Sequence, residues 1–548
     1  MEATAPPEPF LATREIDVSP AWNPLGNAIL QAARLNSGRV ALDDGSRKLT
    51  FAEVGEEIRG LVGALERFPP DSVVALISAN RVEYVVSDMA ATVGAFVRLG
   101  LNKRLHPNEV ASGMARAGVT VLFCDAEWAA RLASRIADAS SLRLVVCFDE
   151  IDESSRTAFA GAGIEVANYP TLASSAVDPG FSARATTPDA TATLIFTSGT
   201  TGTPKCVAHP RSAQIAIARG MASLSAARSD DVLIMPLPQS HAGGLFSQCY
   251  YLAGARQLII DRASEQELLG LLAGGETTAL ASVPTVLEPL AKLALGAGLS
   301  FSRLRRVYYG GAPMRVDVVR DVLRAFGPVL TQLYGQSESG LPVTAMAPWE
   351  YAEALECGDE ARLAAAGRPW GLAELALFDA GGEPIPQGEV GEICVRGDTV
   401  MTGYLGDEAA TRAVFDAAGW LHTGDLGRFD RNGFLSVVGR QRDVIITGGF
   451  NVYPAEVESA ISTLDSVRDV IVIGVSDPKW GESICAVIVP NGTRDVTREE
   501  VIGACEERLG RYKVPKSVRV AERLPVGATG KIDKRTLIGR LDELTSVL

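Results

Sequence analysis

Between residues 73 and 148 short apolar runs alternate with helical patterning: VVALIS at 73–78, a helix predicted over Val82–Val97, VTVLFC at 119–124 and LRLVVCF at 142–148. Runs of this length, separated by segments long enough to cross back over a sheet, predict parallel strands covered by helices, an α/β fold. Further strands are expected at 231–237, 256–260, 278–283 and 305–309. Several of them end in loops carrying Pro, Gly or His, and ligands in such folds sit at strand carboxyl ends.

At 548 residues the chain exceeds the size at which one core keeps growing, so at least two domains are expected. From about Leu372 the texture changes to short β-rich pieces, LALFDA, GEICVRG and FLSVVGR, separated by Gly-Gly, Asn-Gly and Pro-Gln-Gly turn signals, which predict a small β subdomain. Beyond Arg442 follow a loop, a helix (Ala455–Leu464), strands at Val470–Val475 and Ile484–Val489, a helix (Arg498–Leu509) and a loop-rich tail. The expected division is a large body of mixed and parallel sheets over 1–441 and a small α+β module over 442–548.

Composition excludes several classes. An apolar share of 47% with 22% charged residues suits a globular enzyme rather than a disordered or fibrous protein. The net charge of −14 repels nucleic acid and anionic membrane surfaces, so neither is an expected partner. A basic stretch from Arg508 to Arg535 runs against that sign and is read as a solvated face. The eight cysteines form no Cys-x-x-Cys pair, which argues against a disulfide framework and a zinc site and favours the reduced thiols of a cytoplasm. The opening MEATAPPEPF has acid and proline where a secretory signal has basic then apolar residues, and no run approaches membrane-spanning length, so a cytoplasmic protein is expected.

Five segments carry candidate chemistry. In LIFTSGTTGTPK, residues 194–205, an apolar run breaks into a loop suited to phosphates. Ser198, Thr200, Thr201 and Thr203 offer hydroxyl donors, Gly199 and Gly202 let backbone N–H groups approach an anion, and Lys205 adds positive charge. It is not a P-loop, because Pro204 precedes the lysine and Cys206 follows it. In YGQSESG at 334–340, Tyr334 can stack on a purine, Gly335 gives flexibility, Ser337 can donate to a phosphate oxygen and Glu338 can bind Mg²⁺. VYYGGAP at 307–313 ends a strand in Gly310 and Gly311, where with Ala312 and Pro313 a flat base can lie against backbone. GWLHTGDLG at 419–427 places Asp425 where a carboxylate can accept both hydroxyls of a ribose, and Arg440 in VVGRQRD can donate to the same sugar. LPVGATGKIDKR at 524–535 holds Lys531 in a glycine-bearing loop. Taken singly, each also reads as an ordinary turn, cap or surface residue.

In order, LIFTSGTTGTPK, LPQSHAGG, YYGGAP, YGQSE, GEICVRGDTVMTGY, GWLHTGDLG, GRQRDVIITGGFNVYPAEVE and TGKIDKR resemble the adenylate-forming superfamily of acyl-CoA synthetases, luciferases and peptide-synthetase adenylation domains. The likeness is dense from about 190 to 535 and looser before. It implies a two-step ligase, in which a carboxylate attacks the α-phosphate of ATP to give an acyl-adenylate and pyrophosphate, and a thiol then displaces AMP. By resemblance, Ser198, Gly199, Thr200, Thr201, Gly202 and Lys205 hold phosphates, Gly311, Ala312, Pro313, Tyr334 and Gly335 hold the adenine, and Ser337 takes the α-phosphate. Glu338 takes Mg²⁺, Asp425 and Arg440 the ribose, and Lys531 bridges acid and phosphate. The small module is expected to rotate between the steps about a hinge at Arg442, exchanging Lys531 for a thiol tunnel at Gly448–Gly449.

The matching segment PLPQSHAGG lacks the acidic residue with which amino-acid-activating relatives hold an ammonium, so an α-amino acid is disfavoured. His241 is expected beside the acyl pocket, with Phe246, Val283, Tyr309 and Gly310 as walls, for an aryl, cyclic or medium-chain acid. Coenzyme A is the expected thiol. A carrier-protein phosphopantetheine is the close alternative, a homodimer is compatible with the chain, and a nucleotide-binding module without turnover or an ATPase are the more distant readings. Three positions depart from the pattern: Cys206 after the loop lysine, Ser337 for the commoner Thr, and Val526–Gly527–Ala528 for a more polar approach to Lys531.

Overall fold

A computed structural model describes residues 22–135, 141–176, 181–197, 204–371, 373–492, 494–525 and 532–546. Two large sheets organise the body. One has nine strands, running parallel from Leu330–Gln336 through Arg306–Gly310, Ala279–Ser282, Val232–Met235 and Arg256–Ile259 to Val40–Asp43, with antiparallel strands at both edges. The other has eight, with Val73–Ile77, Val97–Gly100, Val119–Cys124, Leu144–Cys147 and Glu165–Asn168 parallel to Thr191–Thr197 and an antiparallel edge of Lys205–Pro210 and Gly403–Tyr404.

Helices Pro24–Leu35, Phe51–Ala64 and Val82–Val93 lie between these sheets and share one core with both, through Leu42 of the first and Val74 and Leu76 of the second. The outer faces are covered by Pro107–Ala117 and Ala126–Ala133 on one side and by Glu265–Ala273, Pro284–Ala297 and Val316–Phe326 on the other. The middle layer explains the sequence of Val82–Val93: every residue except Asp88 is buried, which a helix with a polar face could not satisfy. This helix stops at Val93, short of the predicted Val97. Gly94 and Ala95, the latter at φ +55°, turn the chain into the strand Val97–Gly100.

The two sheets are joined at their carboxyl ends. The Asn80 amide donates to the carbonyls of Leu237 and Ile260 at 2.9 and 3.0 Å and accepts from Gln239 N–H at 3.2 Å. Arg98 pairs with Asp88 at 2.6 Å and donates to the carbonyls of Gln239 and Ser240 at 2.8 and 3.3 Å. Gly244 fits beside this pair only because it lacks a side chain: a Cβ there would lie 2.8 Å from Gln239 O and 3.1 Å from Asp88 Oδ2.

A four-stranded antiparallel sheet, Ala373–Phe378, Gly391–Gly397, Leu421–Phe429 and Leu435–Arg440, forms the β subdomain. After Arg440 a 3₁₀ turn over Gln441–Asp443 leads into a separate six-stranded sheet, in which Val467–Asp477 and Gly481–Pro490 form a long hairpin packed on Pro454–Ile461 and Arg498–Glu506. Among the described residues no helix is long and apolar enough to cross a membrane.

Candidate active site

The strand Leu330–Gln336 emerges from the nine-stranded sheet toward the β subdomain, and its two-residue period puts Tyr334 and Gln336 on one face. Both reach Asp425 on Leu421–Phe429. The Tyr334 hydroxyl donates to Asp425 Oδ2 at 2.9 Å, and the Gln336 amide donates to the same oxygen at 2.5 Å and to Thr423 O at 3.2 Å. Arg440, the cross-strand partner of Asp425, places Nε 3.1 Å from Oδ1. Asp425 is buried while the Arg440 side chain is 42% exposed, so the carboxylate is fixed and the guanidinium is the part of the pair open to solvent. Burial, reinforced by the Asp425 charge, holds the Tyr334 phenol well above its ordinary pKa, and it remains a donor.

Glu338 marks a second end. The Tyr404 hydroxyl donates to Glu338 Oε1 at 3.1 Å, and Lys205 Nζ stands 4.6 Å from the centre of the Tyr404 ring. Strand pairing brings these together, because Tyr404 registers with Val207, two residues from Lys205. Along Lys205–Pro210 the alternation turns Cys206 and Ala208 into the core of the eight-stranded sheet and leaves Lys205 and His209 on the other face. Cys206 is therefore a core thiol, pushed up to about 11 by burial.

His209 Nε2 lies 2.6 Å from the carbonyl oxygen of Ser337. A carbonyl only accepts, so Nε2 carries the proton, and burial keeps the ring's pKa below its ordinary value. Gly335 is required by crowding, since a Cβ there would lie 2.4 Å from Gly340 O. At Gly310 a Cβ would lie 2.7 Å from Leu333 O, whereas Gly311, at φ +77°, opens with Ala312 and Pro313 into an exposed ledge.

The expected acyl walls do not form one set. Tyr308 and Tyr309 are consecutive in Arg306–Gly310 and face opposite sides of the sheet. The Phe246 ring lies 4.8 Å from the Tyr308 ring, while Tyr309 faces the core behind the sheet, its hydroxyl 2.8 Å from that of Tyr351. Tyr309 is thus separated from Phe246, and Tyr308 is the tyrosine on the Phe246 side. His241 stands at the start of Ala242–Leu252 with Nδ1 2.8 Å from Ser240 Oγ, on the loop that Arg98 and Asn80 hold. Val283, half-buried, follows Ala279–Ser282.

In the C-terminal sheet, Gly448 and Gly449 form a two-residue hairpin turn with φ +58° and +84°, a geometry that favours glycine at both places. A Cβ at Gly448 would lie 2.8 Å from the Trp480 ring. Around this turn Phe450, Trp480 and Tyr512 are exposed; the Phe450 and Tyr512 rings meet at 4.8 Å, tilted by 32°, and Lys516 and Lys479 lie 4.1 and 4.9 Å from the Trp480 ring. Arg442 sits in the 3₁₀ turn beside Asp443, which pairs with Lys534 at 2.8 Å. Ser198, Gly199, Thr200, Thr201, Thr203, Gly202, Val526–Ala528 and Lys531 lie outside the described residues. Gln336, Tyr404 and His209 were not foreseen. Gln336 was accessible from its spacing with Tyr334, and Tyr404 closes the motif GEICVRGDTVMTGY, but nothing local marks His209.

The five-layer body, with a carboxylate, a phenol and a guanidinium converging at strand carboxyl ends and a separate α+β sheet after Arg440, defines an enzyme of the adenylate-forming fold. The chain belongs to the AMP-binding enzyme family: that family's model matches residues 29–405, and the AMP-binding enzyme C-terminal domain matches residues 456–531. It is similar to the medium/long-chain-fatty-acid–CoA ligase FadD8 of Mycobacterium tuberculosis, 31% identical over 543 residues that cover 96% of this chain and 91% of that one. It is likewise similar to the feruloyl-CoA synthase of an Amycolatopsis species, 31% identical over 520 residues covering 93% and 97% of the two chains. The structure of the amide bond synthetase McbA from Marinactinospora thermotolerans superposes with a TM-score of 0.83 at 29% identity, covering 94% of this chain and 99% of McbA.

Proposed function

We propose that this protein is an ATP-dependent acid–CoA ligase acting on an apolar aryl, cyclic or medium-chain carboxylic acid. The observation that carries the reading is the meeting of Tyr334, Gln336 and Arg440 on the one carboxylate of Asp425. A buried carboxylate with oriented donors around it matches the paired hydroxyls of a ribose, and the exposed ledge Gly311–Pro313 leaves room for a flat base.

In the first step a carboxylate oxygen attacks the α-phosphorus, the bond to the bridging oxygen breaks, and pyrophosphate leaves with that electron pair. Acid and triphosphate repel each other, so cationic and hydroxyl groups must hold them in line while charge builds on the phosphoryl oxygens. Lys205 and the hydroxyl-rich loop before it, with Ser337 and Lys531, supply those groups in our assignment. Glu338 has a neutral phenol rather than a cation as its described partner, so a hard anionic oxygen remains for a divalent ion. This fits Mg²⁺, which when bound neutralises phosphate charge.

In the second step a thiolate attacks the acyl carbon and AMP leaves. Coenzyme A carries an adenine and phosphates besides its thiol, and the exposed rings of Trp480, Phe450 and Tyr512 beside Lys479, Lys513 and Lys516 suit both. We assign residues 442–548 as a unit that turns about Arg442 and presents Lys531 in the first step and Gly448–Gly449 in the second. The acid loop around His241, without an acidic side chain and bordered by Phe246, suits an apolar acid.

Pyrophosphate exchange across a panel of carboxylic acids, repeated with CoA, tests this. Acid-dependent exchange, with AMP and an acyl-CoA as products, is expected. Orthophosphate release, or exchange with no acid, overturns the ligase reading. Turnover with a phosphopantetheinylated carrier or an amine and not with CoA overturns the choice of acceptor alone.

A further inference from the structure

On the β subdomain, on the strand that carries Asp425 and its neighbour, Glu392, Cys394 and His422 bring one ligand atom each to within 4.8 Å of one another. The arrangement follows from the sheet. Ile393 and Val395 point into the apolar core, so Glu392 and Cys394 share the opposite face, and Cys394 registers with His422 on the neighbouring strand. His422 Nδ1 lies 2.8 Å from Glu392 Oε2 and 3.4 Å from Cys394 Sγ. With Zn–S and Zn–N bonds of about 2.3 and 2.0 Å, the S···N edge of a tetrahedral zinc site is about 3.5 Å. The sulfur and nitrogen therefore stand at ligating separation, and only the carboxylate needs to draw back.

We propose that Glu392, Cys394 and His422 form a binding site for a zinc-class divalent cation, with a water in the fourth position. The donor set is a thiol, an imidazole and one carboxylate, which prefers a borderline-soft ion over the Mg²⁺ required for ATP chemistry. Nδ1–H donates to the Glu392 carboxylate, so ligation through Nδ1 requires the imidazole to lose that proton to solvent and to carry its one proton on Nε2 instead; Asp416 Oδ2, 3.9 Å from Nε2, is beyond hydrogen-bond range and has to close in to serve as the outer carboxylate of a metal-bound histidine. The Phe378 ring stacks on the imidazole at 6.2 Å and limits its rotation. Access runs over the partly exposed His422 and Glu392, beneath which the sulfur is buried. On binding, the Cys394 thiol gives its proton to solvent. Glu392 Oε1 keeps its hydrogen bond from Gly424 N at 2.9 Å, so the bound ion would clamp Gly391–Gly397 to Leu421–Phe429 three residues from Asp425.

Titrating the full-length protein with Co²⁺ in excess Mg²⁺ tests this. One equivalent is expected to give a thiolate-to-cobalt charge-transfer band that Zn²⁺ abolishes. Cys394→Ala should lose the band, His422→Gln should weaken binding at least tenfold, and Asp416→Asn about 10–100-fold. Cys357→Ala, which removes the exposed thiol, should leave the band intact. No band at one equivalent in the wild type, or a band that survives Cys394→Ala, overturns the site. If the buried substitution fails to fold, the partly exposed positions 422 and 416 decide, and unchanged affinity in both variants overturns it equally.

Discussion

His209 and Ser337 are joined by a 2.6 Å contact between an imidazole nitrogen and a main-chain carbonyl, so a buried ring on the same strand and face as Lys205 sets the backbone position of the residue assigned to the α-phosphate. Because burial lowers the pKa of His209, its contribution to stability is complete above the ordinary histidine value of about 6.5 and is lost as pH falls below it, when only the unfolded chain takes up the proton. Thermal unfolding of the wild type should therefore decline more steeply between about pH 6.5 and 5 than that of His209→Gln. Parallel slopes would remove the role.

Gln336 donates to a buried carboxylate, an interaction worth about 1.5–3 kcal/mol. Gln336→Ala is expected to lower kcat/KM for ATP by roughly tenfold or more, with KM for the acid little changed. Asp425→Ala, which removes the centre of the cluster, should cost more. Steady-state kinetics with ATP varied at saturating acid measure both.

Lys531→Ala should abolish acyl-adenylate formation while thioester formation from supplied acyl-adenylate persists. Rapid-quench assays of the separate half-reactions distinguish this from a general loss, and equal damage to both would remove the assignment of Lys531.

Trp480→Ala and Lys516→Ala should raise KM for CoA and leave acid-dependent pyrophosphate exchange at the wild-type rate. Loss of one stacked base is worth about 1–3 kcal/mol, roughly 5–150-fold in affinity. Unchanged KM for CoA would place the acceptor elsewhere.

Arg98→Leu strips the half-buried Asp88 of its buried partner and is expected to lower stability. The double variant Arg98→Leu with Asp88→Leu should recover much of that stability in chemical unfolding. It should not recover the acid KM, because the carbonyls of Gln239 and Ser240 still lack their donor.

The fold was largely legible because its strands are short apolar runs with clear ends: Val119–Cys124 is found where predicted, and Arg306–Gly310 within a residue or so. The helix expected over Val82–Val97 ran too far, since Phe96 and Val97 continue the apolar pattern while Gly94 and Ala95 break the backbone. Tyr334, Asp425 and Arg440, expected on the base and ribose of one nucleotide, lie in direct contact with one another. Strand alternation already implied that Tyr308 and Tyr309 face apart, and that signal outweighs the motif that put Tyr309 in the acyl wall. Tyr404 and His209 act through partners 66 and 128 residues away, distances at which no local pattern operates. The absence of paired cysteines likewise said nothing about Cys394 meeting His422 and Glu392, because that set is assembled by strand pairing rather than by spacing.

The anchoring of the His241 loop by Asn80 and Arg98 has a bearing on redesign. Its shape is dictated from the neighbouring sheet, so transplanting Leu237–Gly244 into a relative lacking that arginine and Asp88 would transfer the residues without their conformation. Retuning which acid is accepted is therefore a two-sheet problem, and libraries that vary the pocket lining alone sample only half of it.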